Sequence, residues 1–351
     1  MSALLRRDGI RTVRVTTSSH ARSIVTSRLT YDRFEVLSSG HELRRLLEII
    51  GDENVVDIQY VESLRNLVSQ VCPGLRPEVA ERILARIALI DKFAASRLFA
   101  SHGVSTPEVI PASEATPDQV VERLSLPVVA KARVGNGGDN ATIASDLATL
   151  RTAASLWEEN PEFGYYERYV EGEKLNYGAA ESANGIVQEL AYRVIDWIQP
   201  TGTALEIETI DDRELMAFGR QVIAVAGCTG LINPDIIRDR DGKDWLIDFN
   251  ARVFGGAANF MIAALDISQG YLAAIDQRQD PPSALSPKVG VSIRVFPSCL
   301  ASSIATENLS RTLRAFLRDA GPYVKWLGLR YWLAEALTTI DASLVSRRRH
   351  R

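Results

Sequence analysis

The stretch GLINPDIIRDRDGKDWLIDFNAR, residues 230–252, restricts the fold more than any other part of the chain. Two strand-like runs, 231–237 and 243–248, flank Asp239-Arg240-Asp241-Gly242, a turn sequence that closes a β-hairpin. A calcium loop is the competing reading of so many aspartates, but its remaining ligands are absent at their spacings. Asp248 and Asn250 are two apart on a strand, so both side chains face one side. Arg252 continues in that direction if the strand extends. In hairpin register Asp235 can lie beside Asp248. Two carboxylates side by side in a partly buried sheet are costly unless a cation sits between them. A hard cation such as magnesium takes oxygen ligands, and a neighbouring arginine can grip a phosphoryl group. The plain alternative is that Asp-Phe-Asn ends a strand in a solvated turn, where both residue types are common.

A second stretch, LPVVAKARVGNGGDNATI from Leu126, places Lys131 at the end of an apolar strand, before Gly135, Gly137 and Gly138. A lysine beside such a loop can reach phosphate oxygens. The glycines let backbone N–H groups approach them and let the loop close as a lid. The loop is neither a Walker loop nor GxGxxG, since Asn140 stands where the third glycine belongs. A simple glycine-rich turn explains it equally well. A third stretch, YYERYVEGEKLNYG from Tyr165, runs a strand into Glu171-Gly172 and out into another strand. It reads as a hinge between two lobes, or as a generic strand–turn–strand.

Around these segments the pattern is mixed. Residues 12–16, 34–37 and 54–58 read as buried strands, and 41–50 as an amphipathic helix stopped by Gly51. That alternation predicts a short parallel α/β unit. The chain opens in a helical pattern, with Leu4 and Leu5 before Gly9, which predicts that the unit's first strand is missing. Residues 78–103 read as helix, 117–170 as a new α/β block, and 174–180, 186–194 and 203–208 as strands. A helix over 212–226, a helical stretch over 257–277, a strand over 289–296 and a helical remainder complete the chain. The aromatic-rich segment 323–337 is an amphipathic helix, for packing on the body or, alternatively, for a homodimer face or a membrane surface.

Composition removes several classes of function. Charged residues are 24% and the net charge is −4, which leaves no basic stripe for nucleic acid. The three cysteines are scattered, which excludes a disulfide framework and a zinc spacing and points to a reducing cytoplasm. No apolar run approaches the roughly 18 residues of a membrane span. HExxH and GxSxG are absent, so zinc hydrolysis and serine acyl transfer lack support.

Taken in order, these motifs resemble the ATP-grasp superfamily over roughly residues 85–300. Asp91-Lys92 and the run Gly103-Val-Ser-Thr-Pro107 look like the entry to its nucleotide-binding lobe. Asn233 and Asn250-Ala-Arg252 look closest to the carbamoyl-phosphate-synthetase and biotin-carboxylase branch, and residues 190–208 to carboxylate–amine ligases built on it. The resemblance implies an α/β and α+β chain: a Rossmann-like unit over 1–88, a small lobe with the lid over 89–170, a large lobe with the Mg-ATP site over 171–300, and a helical extension over 301–351. It implies ATP with magnesium, or manganese in its place, and small-molecule carboxylate and amine substrates such as an amino acid or small peptide. Lys92 and Lys131 would hold the ATP phosphates and Gly135, Gly137 and Gly138 the lid. Glu167 would meet the adenine amino group, with the backbones of Arg168 and Val170 along the adenine edge. Asp235, Asp248 and Asn250 would bind the metal, and Arg252 would stabilise the phosphoryl group.

Two positions depart from that pattern. Lys174 stands where a ribose-binding glutamate is expected, with Glu173 one residue early and hence on the opposite strand face. Asp248 stands in place of a longer bridging glutamate. A nucleotide-binding protein without turnover and a carboxylase or carbamoyl-phosphate type enzyme are the rival readings. Arg193 and Arg294 are candidates for a substrate carboxylate, against the ordinary reading of surface pairing. His102 reads as a helix cap rather than a catalytic group.

Overall fold

The structure is a computed structural model that describes residues 5, 9–16, 31–37, 40–60, 64–135, 141–197, 204–254, 257–275, 287–295 and 324. Gly137, Gly138 and the aromatic segment 323–337, apart from Val324, lie outside the described residues. Among the described residues no helix is long and apolar enough to cross a membrane.

The N-terminal unit contains β1 (Val13–Thr16) and β2 (Arg33–Val36), paired in parallel with Val13 opposite Arg33. Helix α1 (Glu42–Asp52) buries Ile49 and Ile50 and continues through Gly51, which holds helical backbone; the chain turns extended only at Glu53. The expected strand at 54–58 does not form. Two of its carbonyls are met by side chains instead of a sheet neighbour: Arg82 Nη2 donates to Val56 O at 2.5 Å, and Arg86 Nη2 donates to Ile58 O at 3.5 Å. Both arginines come from α3 (Pro77–Ala88), which follows α2 (Arg65–Val71). The helix expected over 78–103 is two helices. The break falls before Asp91, whose side chain accepts from Ala94 N at 3.0 Å and so starts α4 (Lys92–Ser101).

The small lobe is a four-stranded sheet in the order β3 (Val109–Pro111), β6 (Gly164–Arg168), β4 (Val128–Ala132), β5 (Ala141–Ala144). Its pairings are antiparallel. Helices α5 (Pro117–Leu124) and α6 (Leu147–Ser155) cover it through a core that includes Val120, Leu124, Leu150 and Tyr166. Thr116 and Gln119 form a reciprocal cap at the start of α5, which fixes where that helix begins.

The large lobe is a six-stranded sheet in the order β11 (Asp244–Asn250), β10 (Gly230–Asp239), β7 (Gly172–Ser182), β8 (Gly185–Trp197), β9 (Ala204–Ile210), β12 (Ser292–Arg294). Its pairings are again antiparallel. Apolar residues alternate to both faces. Leu175, Tyr177 and Ala179 pack under α7 (Arg213–Ala226), while Leu190, Tyr192 and Leu231 pack under a 3-10 segment (Ala257–Ala263) and α8 (Ile267–Ile275). Gly219 of α7 is required by close approach, since a Cβ there would lie 2.3 Å from the Tyr177 ring. Parallel pairing in the described residues is confined to β1 and β2, so the block read as α/β over 117–170 is antiparallel sheet with helices on it.

Candidate active site

The site lies on the β11 edge of the large sheet, where the end of β4 and the start of α4 reach it. The hairpin keeps the register of its turn as far as Ile236 opposite Leu246, then shifts by one residue between Ile236 and Asp235. Asp235 pairs with Asp248 and Asn233 with Asn250. Paired residues of an antiparallel ladder present their side chains to the same face, so the two carboxylates sit together. Burial, and then repulsion from Asp248, pushes the Asp235 carboxyl up to about 6. Burial also acts to raise Asp248, but Lys92 and Lys131 outweigh it and hold that carboxyl below the usual range. One carboxylate of the pair is therefore firmly ionised and the other strained by its neighbour.

Two lysines converge on this pair from outside the hairpin. Lys92 opens α4, and its Nζ donates to Asp248 Oδ2 at 2.6 Å. Lys131 lies on β4; its Nζ donates to Glu167 Oε1 at 2.5 Å and to Ile247 O at 3.1 Å. Glu167 is only 3% exposed, and burial raises its carboxyl against the pull of Lys131. The end of β4 and the start of α4 are locked together by Lys92 N donating to Arg133 O at 2.8 Å and by Arg133 Nη2 lying 2.6 Å from Asp91 Oδ2. Arg252 follows the end of β11, with Nη2 donating to Asn250 Oδ1 at 3.2 Å and Nη1 to Val253 O at 3.3 Å. Gly135 lines a cleft with Lys92, Asn250 and Arg252.

The other residues singled out have the following surroundings. Arg168 is turned outward, with Nη2 donating to Glu108 Oε2 at 2.8 Å. Val170 follows the end of β6. Lys174 pairs in register with Ile237, and its Nζ sits 4.6 Å from the centre of the Trp197 ring. Burial lowers its pKa, against an upward pull from Asp235. Glu173 points to Arg193, 3.5 Å away, and Arg193 also binds Glu208 at 3.0 Å, so surface pairing accounts for that arginine. Arg294 pairs in register with Glu206 on the far edge of the sheet. The His102 ring nitrogen meets Leu98 O at 2.9 Å at the end of α4, consistent with a cap.

Sequence reasoning missed Asn176. It is 7% exposed, sits opposite Asp235 in register, and donates to its carboxylate. The available signal was an amide inside the buried run Leu175-Asn176-Tyr177. Asn233, read as part of the motif, is a structural residue: its Nδ2 donates to Tyr177 O and Tyr192 Oη, each at 2.9 Å.

Among the described residues, no group of three or more His, Cys, Asp and Glu side chains could hold a metal. A cation here would rest on two carboxylates and the Asn250 amide oxygen. All three are hard oxygen donors, and a cation here would offset both the burial and the repulsion from Asp248 that push Asp235 up. The donor set therefore fits a hard divalent ion.

No family model matches the chain. A D-alanine–D-alanine ligase of Cupriavidus pinatubonensis (strain JMP 134 / LMG 1197) is 29% identical over 196 residues, covering 50% of this chain and 58% of that ligase. The chain thus spans little more than half the length of the curated relatives it matches. The biotin carboxylase domain of the Hydrogenobacter thermophilus 2-oxoglutarate carboxylase, solved with MgADP, ADP and bicarbonate, superposes with a TM-score of 0.62 at 14% identity, over 83% of this chain and 70% of that one. The N5-carboxyaminoimidazole synthetase of Staphylococcus aureus, solved with ADP, gives 0.63 at 12% identity, over 89% and 92%.

Proposed function

We propose that this chain is an ATP-grasp-type, magnesium-dependent ligase that joins a carboxylate to an amine at the expense of ATP. The observation that carries the reading is the meeting of Asp235 and Asp248 in one ladder register with Lys92 and Lys131 at hydrogen-bond distance of the pair's surroundings. Anionic metal ligands and phosphate-seeking cations in one place suit a nucleotide triphosphate with its counter-ion. The similarity to a D-alanine–D-alanine ligase supports an amino acid or small peptide as substrate. We take 1–88, 89–170, 171–300 and 301–351 as the working units of the chain.

In this reading a substrate carboxylate oxygen attacks the γ-phosphorus as the bond to ADP breaks, giving an acyl phosphate. An amine nitrogen then attacks the acyl carbon, phosphate leaves, and the amine loses a proton. Magnesium supplies charge neutralisation at the phosphates when bound. Asp235, Asp248 and Asn250 would hold it. Lys92 and Lys131 exchange their carboxylate partners for phosphate oxygens, and Arg252 steadies the transferring group. The glycine loop that begins at Gly135 excludes water, which would otherwise hydrolyse the acyl phosphate.

The test is calorimetric titration with ATP and magnesium, wild type against Lys131→Ala, followed by an ADP-release screen of carboxylates and amines. Magnesium-dependent binding lost in the variant, and ADP release that needs both substrates, is the expected outcome. Folded protein that binds no nucleotide overturns the reading. Nucleotide bound and never consumed moves it to a non-catalytic binder, which the seating of Lys174 on Trp197 in place of a ribose-binding carboxylate would then explain.

A further inference from the structure

Arg252 lies where regular structure has ended. Strand β11 stops at Asn250, and residues 251–254 have no ladder partner to hold them. A guanidinium that must meet a phosphoryl group needs its backbone fixed, because small misplacements of a reacting group are costly, about 100-fold per ångström in unfavourable cases. The backbone is held from a distant part of the chain. Val253 N donates to Gln59 Oε1 at 2.8 Å. Val253 is also the residue on which the guanidinium rests, through Arg252 Nη1 to Val253 O at 3.3 Å.

Gln59 is exposed, yet both ends of its amide are committed. Nε2 donates to Asp57 Oδ2 at 2.7 Å and to Tyr271 Oη at 2.9 Å. Tyr271 Oη in turn donates to Asp57. Asp57 is anchored by a two-point pairing with Arg86, and the two side chains are 3% and 1% exposed. An exposed glutamine ordered in this way gives up side-chain freedom that an ordinary surface residue would keep. The buried Asp57–Arg86 pair thus lends its rigidity, through one amide, to the backbone next to Arg252.

We propose that Gln59 is a positioning residue for Arg252, so that the N-terminal unit is a working part of the phosphoryl-transfer site. This rests on the ligase reading, in which Arg252 meets the transferring phosphoryl group. Gln59 touches neither nucleotide nor metal; it acts by fixing Val253.

The experiment is a double-mutant cycle on the full chain with Gln59→Ala, Arg252→Ala and the pair, reading the dissociation constants of Mg-ATP and Mg-ADP by calorimetry. Hydrogen exchange at the Val253 amide and melting temperature are recorded alongside. Arg252→Ala is expected to weaken Mg-ATP about tenfold, the scale of one charge-assisted hydrogen bond, and to leave Mg-ADP unchanged. Gln59→Ala should reproduce most of that loss, again for ATP alone, and add nothing in the Arg252→Ala background. Val253 exchange should quicken with little change in melting temperature. Equal loss for both nucleotides, an additive double variant, an intact preference for ATP or unchanged Val253 exchange each overturns the proposal alone. Wild-type protein that binds neither nucleotide overturns the ligase reading and this proposal together.

Discussion

Lys92 Nζ donates to Asp248 Oδ2 at 2.6 Å, although 156 residues separate the two in the chain. The lysine opens a helix and the aspartate lies near the end of an edge strand, so the contact ties the start of α4 to the large sheet. It also places a cation where a carboxylate pair needs one. The following expectations derive from that arrangement and its neighbours.

Asp248→Ala removes both a metal ligand and the partner of Lys92. ADP formation is expected to disappear, measured by coupled phosphate release. The fold should survive, with a loss of about 1–3 kcal/mol in denaturant unfolding, the cost of stranding one partly buried hydrogen-bonded charge. Near-normal turnover would remove Asp248 from the site.

Lys131→Ala leaves Glu167 buried without its cation. A stability loss of about 3 kcal/mol is expected at neutral pH. The sign with pH follows from Glu167, whose carboxyl burial already raises and which rises further once Lys131 is gone. The uncompensated charge is relieved on protonation, so the deficit of the variant against wild type shrinks as pH falls. Glu167→Gln in the Lys131→Ala background should restore much of the loss at pH 7. A pH-independent deficit would mean that the ion pair is not its cause.

Asp235 has a folded carboxyl at about 6, above the roughly 3.9 of an unfolded aspartate. With the folded value the higher, its stabilising protonation is fully present below about pH 4 and is lost as pH rises through 6. Metal-free wild type should therefore lose stability relative to Asp235→Asn between pH 4 and 7. Magnesium affinity should run the other way, falling as the pH drops below 6, since the ion competes with the proton. Melting curves across pH with and without magnesium read both trends, and parallel wild-type and variant curves would contradict the assignment.

Gly172 opens β7 where the chain leaves the small lobe. A Cβ there would lie 2.0 Å from Arg238 O, so Gly172→Ala must push β7 and β10 apart. A cost of about 1–3 kcal/mol is expected from this overpacking. Because Asn176, which donates to the Asp235 carboxylate, follows on the same strand, the variant should also weaken magnesium-dependent nucleotide binding. Unchanged stability and binding would show that β7 tolerates the shift.

The existence of the hairpin and the position of its turn were legible in the sequence. The turn Asp239–Gly242 fixes the pairs nearest it, Arg238 with Asp244 to Ile236 with Leu246, and counting on from there would set Asp235 opposite Ile247; a one-residue register shift between Asp235 and Ile236 sets it opposite Asp248 instead. The strand and helix order from Gly164 to Asn250 was legible for the same reason, because periodicity is a property of a few neighbouring residues. The break before Asp91 was less so, since one capping side chain, and no change in periodicity, ends the helix read over 78–103. The expected strand at 54–58 has the apolar content of a strand, and that pattern does not say whether a sheet neighbour exists.

What the sequence determined by itself is thus local: the existence of the hairpin, the lysine ending an apolar strand, and the turn chemistry between strands, but not the one-residue shift that pairs Asp235 with Asp248. Tertiary structure alone decided the partners. It brought Lys92 onto Asp248, Lys131 onto Glu167, Asn176 onto Asp235 and Gln59 onto Val253, and it turned Lys174 to Trp197. The physical reason is range. Backbone dihedrals and turn residues act within a few positions, whereas a side chain's partner across 100 or more positions depends on how whole sheets and helices pack, which no local pattern encodes.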